Sequence, residues 1–68
     1  MIVEGLNKTQ QKIYELIVEK ATPTKDMASI LNKSPRTIST NIEMILDFFG
    51  VENQKELIIM HYRKLMNK

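Results

Sequence analysis

Cysteine is absent from the 68 residues. That excludes disulfide staples, thiolate zinc sites and a cysteine nucleophile, and it suits a reducing cytoplasm. Histidine occurs once, as His61, with no thiol and no spaced carboxylate pair beside it, so no metal site is expected. Two prolines and two glycines, with no low-complexity stretch, no repeat and no strand-like alternation between turns, point to helices joined by short connections. Long apolar runs are missing as well. The longest, Leu57-Ile58-Ile59-Met60, falls far short of the roughly 20 residues that cross a bilayer, and no signal-peptide core follows Met1. The expectation is a soluble, cytoplasmic chain with no membrane partner.

What is present fits one small folded domain. The hydrophobic share is 43% and the charged share 26%, well away from the composition of disordered chains. A chain of this length has too little apolar surface for two cores, so a single domain over residues 1–68 is expected. Net charge is +2 and the sequence pI about 9.0, which permits a nucleic-acid partner without demanding one. Residues 1–50 balance, and the surplus comes from Lys55, Arg63, Lys64 and Lys68 over Glu52 and Glu56.

The periodicity predicts four helices, an all-α bundle, at about 8–20, 25–31, 35–49 and 54–66. Asn7 with Gln10 three residues on is a capping-box pattern, and Ile13, Leu16 and Ile17, flanked by Tyr14 and Val18, form one apolar face. Pro23 breaks the chain and Thr24 is the expected N-cap of a short second helix that turns Met27, Ile30 and Leu31 inward, with Ala28 allowing close helix approach. Asn32-Lys33-Ser34 is a tight turn: asparagine tolerates a left-handed backbone, Ser34 caps, and Pro35 suits a first helical position. In the third helix Ile38, Ile42, Ile45 and Phe49 recur at i, i+4, i+7 and i+11, with Leu46 and Phe48 at the stripe's edges. Gly50 is the expected left-handed C-cap, with Val51 folding back, and Asn53 with Glu56 opens the last helix.

Two short helices joined by a three-residue turn match a helix-turn-helix, in which the second helix lies in the major groove. Spacing alone fits a plain helical bundle with a short loop equally well. The residues add more. Leu6-Asn7, Ile13-Tyr14-Glu15-Leu16-Ile17, Lys25-Asp26-Met27-Ala28, Leu31 to Ile38 and Gly50-Val51 together resemble the LuxR-type, or GerE/NarL-type, DNA-binding domain. The resemblance runs from about Leu6 to Leu65, and its most specific part is Ser34-Pro35-Arg36-Thr37-Ile38 followed twelve residues later by Gly50-Val51. It implies a four-helix unit whose third helix reads DNA and whose fourth often makes a twofold dimer. Gln10 stands where that family usually has an acid, Lys33 where it has an apolar residue, and Asn41 where it has histidine or asparagine. Asp47 and Phe48 stand near its usual lysines, and loss of those lysines removes phosphate contacts.

Opposite the isoleucine stripe the third helix carries Arg36, Thr40, Glu43 and Asp47, with Ser39 and Met44 beside them. Arg36 suits a guanine edge or a phosphate, Ser39 and Thr40 suit bases or a thymine methyl, and Glu43 suits cytosine N4. Thr37 and Asn41 belong to the same candidate DNA-binding set. Lys25, at the start of the second helix, and Lys33 and Ser34, in the turn, are placed for phosphates. The bland reading of all these residues is a solvated, capped helix surface. On the last helix Leu57, Ile58, His61, Tyr62 and Leu65 are expected to cover one side while Ile59 and Met66 point the other way; an isologous dimer through Ile59, Tyr62 and Met66 is expected to cover that second side, the alternative being scattered surface residues on a monomer.

No enzyme is expected. The i, i+4 pairs Glu15/Glu19 and Glu43/Asp47 come without a nucleophile, a ligand set or enough chain to form a pocket, and no cofactor is implied. Met27, Met44, Met60 and Met66 read as gap-fillers. The leading expectation is a nucleoid-associated bacterial transcription regulator, or its output domain, that binds duplex DNA as a homodimer. RNA polymerase and a fused or separate sensor domain are its further partners; Met1 does not distinguish a stand-alone regulator from part of a longer chain. The alternative is a helix-turn-helix whose DNA surface has decayed, favoured by Glu43 and Asp47, which binds a protein instead.

Overall fold

Each helix begins and ends where local hydrogen bonds allow it. The computed structural model describes residues 4–66; Lys68, one of the four cations of the C-terminal surplus, lies outside them. In order the elements are α1 (Lys8–Lys20), α2 (Thr24–Leu31), α3 (Pro35–Phe49) and α4 (Gln54–Met66). With no strand among the described residues, the fold is all-α, as the periodicity predicts.

At the head of α1 the capping box forms in both directions. Asn7 Oδ1 accepts from the Gln10 amide at 2.8 Å, and Gln10 Oε1 accepts from the Asn7 amide at 3.2 Å. The helix ends on Ala21 in the left-handed region, with the Thr22 amide bonded back to the Leu16 carbonyl at 3.1 Å. The start of α2 departs from expectation. Thr24 is not its N-cap but its first helical residue; Pro23 sits at the cap position with an extended backbone and no capping side chain, and its carbonyl accepts from the Met27 amide at 3.0 Å. A proline has no acceptor on its side chain, so the helix starts one residue early with only a backbone bond to mark it.

The connection from α2 to α3 follows the sequence closely. Asn32 is left-handed (φ 55°, ψ 48°), and the Lys33 amide returns to the Ala28 carbonyl at 2.9 Å. Ser34 Oγ then accepts from the Thr37 amide at 3.1 Å, and Pro35 occupies the first turn. Gly50 (φ 69°) closes α3 while the Val51 amide reaches back to the Leu46 carbonyl at 3.0 Å. Asn53 Oδ1 accepts from the Glu56 amide at 2.9 Å and opens α4.

Packing places α3 at the centre. It lies against α1 and α2, and α4 closes over α1 and α3. The buried core joins Ile13, Tyr14, Ile17 and Val18 of α1, Met27 and Ala28 of α2, Ile38, Ile42 and Ile45 of α3, and Leu57 of α4. Two expectations about facing are overturned. Ile30, expected inward, is 61% exposed; Met27, Ala28 and Leu31 make the inward arc of α2, and Ile30 lies about 110° from its middle at 3.6 residues per turn. Tyr62 and Leu65, expected on the packed side of α4, are both about half exposed. The seam of α4 is Leu57 and His61, with Ile58 and Met60 partly covered beside them, and burial stops after His61.

His61 is what seats α4. Its Nδ1 lies 3.0 Å from the Tyr14 hydroxyl, and which atom supplies the proton depends on the tautomer. Tyr14 also stacks on Phe49 at 5.1 Å, and Tyr62 meets the His61 ring edge-on at 5.5 Å. These aromatic contacts tie α1, α3 and α4 together, each typically stabilising by about 0.5–1.5 kcal/mol beyond burial. Burial raises the Tyr14 pKa above its usual 10.0, because the phenolate would be desolvated. The folded state therefore holds the phenolic proton more tightly than the unfolded chain. That contribution to stability is complete below pH 10 and is lost as pH rises through the folded-state value. Tyr14→Phe should flatten this alkaline loss, while near neutrality it strands His61 Nδ1 and costs about 1–3 kcal/mol. Urea midpoints measured against pH check both; an unchanged alkaline limb in the variant would contradict the assignment.

Candidate nucleic-acid interface

The surface of α3 that faces away from the core is continuous and polar. Ile38, Ile42 and Ile45 are buried, and the other side carries Arg36, Ser39, Thr40, Glu43 and Asp47, every one exposed. At 100° per residue Glu43 and Asp47 lie within about 20° of the Arg36 direction and Thr40 within about 40°, so these four form one strip. The isoleucines on the opposite side make the strip rigid, because α3 cannot rotate without pulling them from the core.

Ser34, Arg36, Thr37, Thr40 and Asn41 come together around a shallow recess at the N-terminal half of α3. Several of them are already engaged there. Ser34 Oγ and Thr37 Oγ1 are 2.9 Å apart, and Asn41 Nδ2 donates to the Thr37 carbonyl at 2.8 Å. Ser34 and Asn41 thus spend part of their hydrogen-bonding capacity on the helix, whereas Arg36 and Thr40 point free side chains outward. Of the remaining candidates, Ser39 and Glu43 flank the recess farther round and along α3. Lys25 and Lys33 stand at opposite ends of α2, and both are exposed.

The charge on this surface is mixed. Lys33 and Arg36 occur at the turn and Lys25 at the far end of α2; Glu43 and Asp47 occupy the second half of α3, whose last turn has no basic residue. Beside them Met44 and Phe48 leave about half of their surface in solvent. Two details there were not legible in the sequence. Gln10, expected only to cap, is buried and places Nε2 3.8 Å from Met44 Sδ. Phe48 lies over Gly5 (φ +99°), where an added Cβ would come within 2.6 Å of the Phe48 ring. A glycine followed by Leu6 carried no pattern that would announce either contact.

Ile59, Tyr62 and Met66 are 46%, 48% and 83% exposed. With Ile58 and Arg63 they line an apolar groove on α4. Among the described residues no cluster of three or more histidine, cysteine, aspartate or glutamate residues is placed to hold a metal ion, and no helix is long and apolar enough to cross a membrane. No protein-family model matches the chain, and no curated protein or solved structure matches it significantly.

Proposed function

We propose that this chain binds duplex DNA, with α2, the turn and α3 acting as a helix-turn-helix of the LuxR type and α3 lying in the major groove, and that it serves in transcription regulation at the nucleoid. The observation that carries the reading is the free strip of α3. Arg36, Thr40 and Glu43 are exposed on a helix whose other face is anchored by three buried isoleucines. Such an element presents base-reading side chains on a rigid support, as groove recognition requires. The turn supports it further, since Lys33 and Ser34 stand where a phosphate would pass the start of α3.

The test is a titration of labelled duplex DNA with the purified protein at several salt concentrations. Affinity should fall steeply with salt as condensed counterions are released. No binding at low salt would leave the second reading, a module that binds a protein through the same surface; exposed Glu43 and Asp47 are the features that favour it.

Dimerisation is part of the proposal. An isologous contact through Ile59, Tyr62 and Met66 would cover the apolar groove of α4 and present two copies of α3 to half-sites about one DNA turn apart. Ile59→Asp would bury a carboxylate in that contact and is expected to turn a sedimenting dimer into a monomer. A dimer mass that survives the substitution would remove this interface.

A further inference from the structure

We infer that the dimer contact on α4 is antiparallel, with its twofold axis between Ile59 and Met60, so that Glu56 of each copy pairs with Arg63 of the other. This rests on the dimer through α4 proposed above and is independent of what α3 binds. Ile59 and Arg63 border two grooves on the exposed side of α4, one shared with Glu56 and Met60, the other with Tyr62 and Met66. Glu56 and Arg63 are both exposed, and neither has an ion-pair partner among the described residues. An apolar ridge flanked by two unpaired charges of opposite sign can complement a second copy of itself.

Helix geometry fixes the flank that each group occupies. At 100° per residue, with Ile59 as the reference, Glu56 lies at about +60° and Arg63 at about +40°, whereas Lys55, Tyr62 and Met66 lie at about −40°, −60° and −20°. The buried pair Leu57 and His61 falls on the opposite side of the helix, so all of these groups face outward together. Along the axis Glu56 and Arg63 are about 10.5 Å apart, at equal distances from the midpoint between Ile59 and Met60.

A twofold axis that lies in the contact and crosses α4 at this midpoint reverses the axial order and keeps each flank against its own counterpart. Glu56 then meets Arg63 of the other copy, and symmetry makes the pair twice. The two Ile59 side chains meet at the axis. On the other flank Lys55 of each copy comes between Tyr62 and Met66 of its mate, where the ammonium can lie over the Tyr62 ring. Arg63 is the one cation of α4 on the Glu56 flank of this face, so no other axis position makes the pair. A parallel contact would set two basic last turns, each with Arg63 and Lys64, side by side. The antiparallel contact lays that basic turn beside the first turn of the other helix, which carries Glu56, and opposes the two helix dipoles. Ile59, Tyr62 and Met66 supply the apolar area, and the charges select the orientation.

The experiment measures the dimer dissociation constant of the whole chain by sedimentation equilibrium. It compares wild type with Glu56→Arg, Arg63→Glu, the double exchange of both, and Ile59→Asp, with retained helicity checked by circular dichroism. All three positions are exposed, so each variant should fold. Either charge reversal alone sets like charges together twice and should weaken the dimer about 10-fold or more. The double exchange rebuilds both pairs and should return the constant to within about 3-fold of wild type. Single reversals that leave the constant unchanged, while Ile59→Asp abolishes the dimer, overturn the orientation and leave the α4 contact standing. A double exchange as weak as the single reversals overturns the orientation too. A dimer that survives Ile59→Asp, or a wild type that is monomeric at every concentration, overturns the α4 dimer itself, and this pairing with it.

Discussion

Ile45→Ala is expected to cost about 2–5 kcal/mol of folding stability, the range for truncating a buried isoleucine. Ile45 is fully buried, and it stands with Ile38 at the middle of the core that joins α3 to the rest of the molecule. The loss is the transfer free energy of the removed carbons plus the cavity left where neighbours relax only in part. A domain of this length has a total stability of about 3–10 kcal/mol at typical values per residue, so the loss is a large share of the whole. Urea titration would show a lower midpoint with little change in slope if the compactness of the unfolded state is unaffected. Ser39→Ala, on the exposed side of the same helix, is the control and should stay within about 0.5 kcal/mol of wild type. A loss from Ile45→Ala no larger than that of the control would mean that α3 is not held from behind as described.

The second large effect concerns the other face. Arg36→Ala should weaken binding to the preferred duplex by about 1–3 kcal/mol, which is about 5- to 150-fold in Kd. Arg36 lies in the first turn of α3, is exposed, and belongs to the recess that gathers Ser34, Thr37, Thr40 and Asn41. Its planar fork suits a guanine edge bidentately and suits a phosphate equally well, and the two roles leave different traces. If it reads a base, specificity at one position relaxes; if it holds a phosphate, all sequences weaken together and the salt slope falls by about one unit. Stability should hardly change, since the side chain is exposed. Equal affinity of variant and wild type for selected and random duplexes would remove Arg36 from the contact.

These two predictions draw on different parts of what was legible beforehand. Cap signals are strictly local: the Asn7–Gln10 box, the Ser34 cap, left-handed Asn32 and Gly50, and the Asn53 cap each close over a few residues. They were readable because a side chain and an amide three residues away meet whatever the rest of the chain does. The isoleucine stripe of α3 was readable for a related reason, as Ile38, Ile42 and Ile45 recur at helical spacing on one side and all three are buried. The exposed strip of Arg36, Thr40 and Glu43 followed from it by rotation alone.

Elsewhere local pattern misled. Thr24 looked like a cap because it follows a proline, yet the backbone of Pro23 already supplied the helix start. Ile30, Tyr62 and Leu65 are apolar and fell on plausible faces, but a short helix with apolar residues on several sides does not say which side its neighbours will cover.

The sequence alone thus determined the ends of the helices other than the start of α2, the turn between α2 and α3, and which side of α3 faces inward, since all of these depend on contacts within a turn or two. The tertiary structure decided which apolar residues of α2 and α4 remain in solvent, that Tyr14 bonds to His61 across 47 positions of chain, and that Phe48 covers Gly5. The physical reason is one of range. Hydrogen bonds between near neighbours are set by backbone geometry, whereas burial is shared among helices and is settled only when they pack.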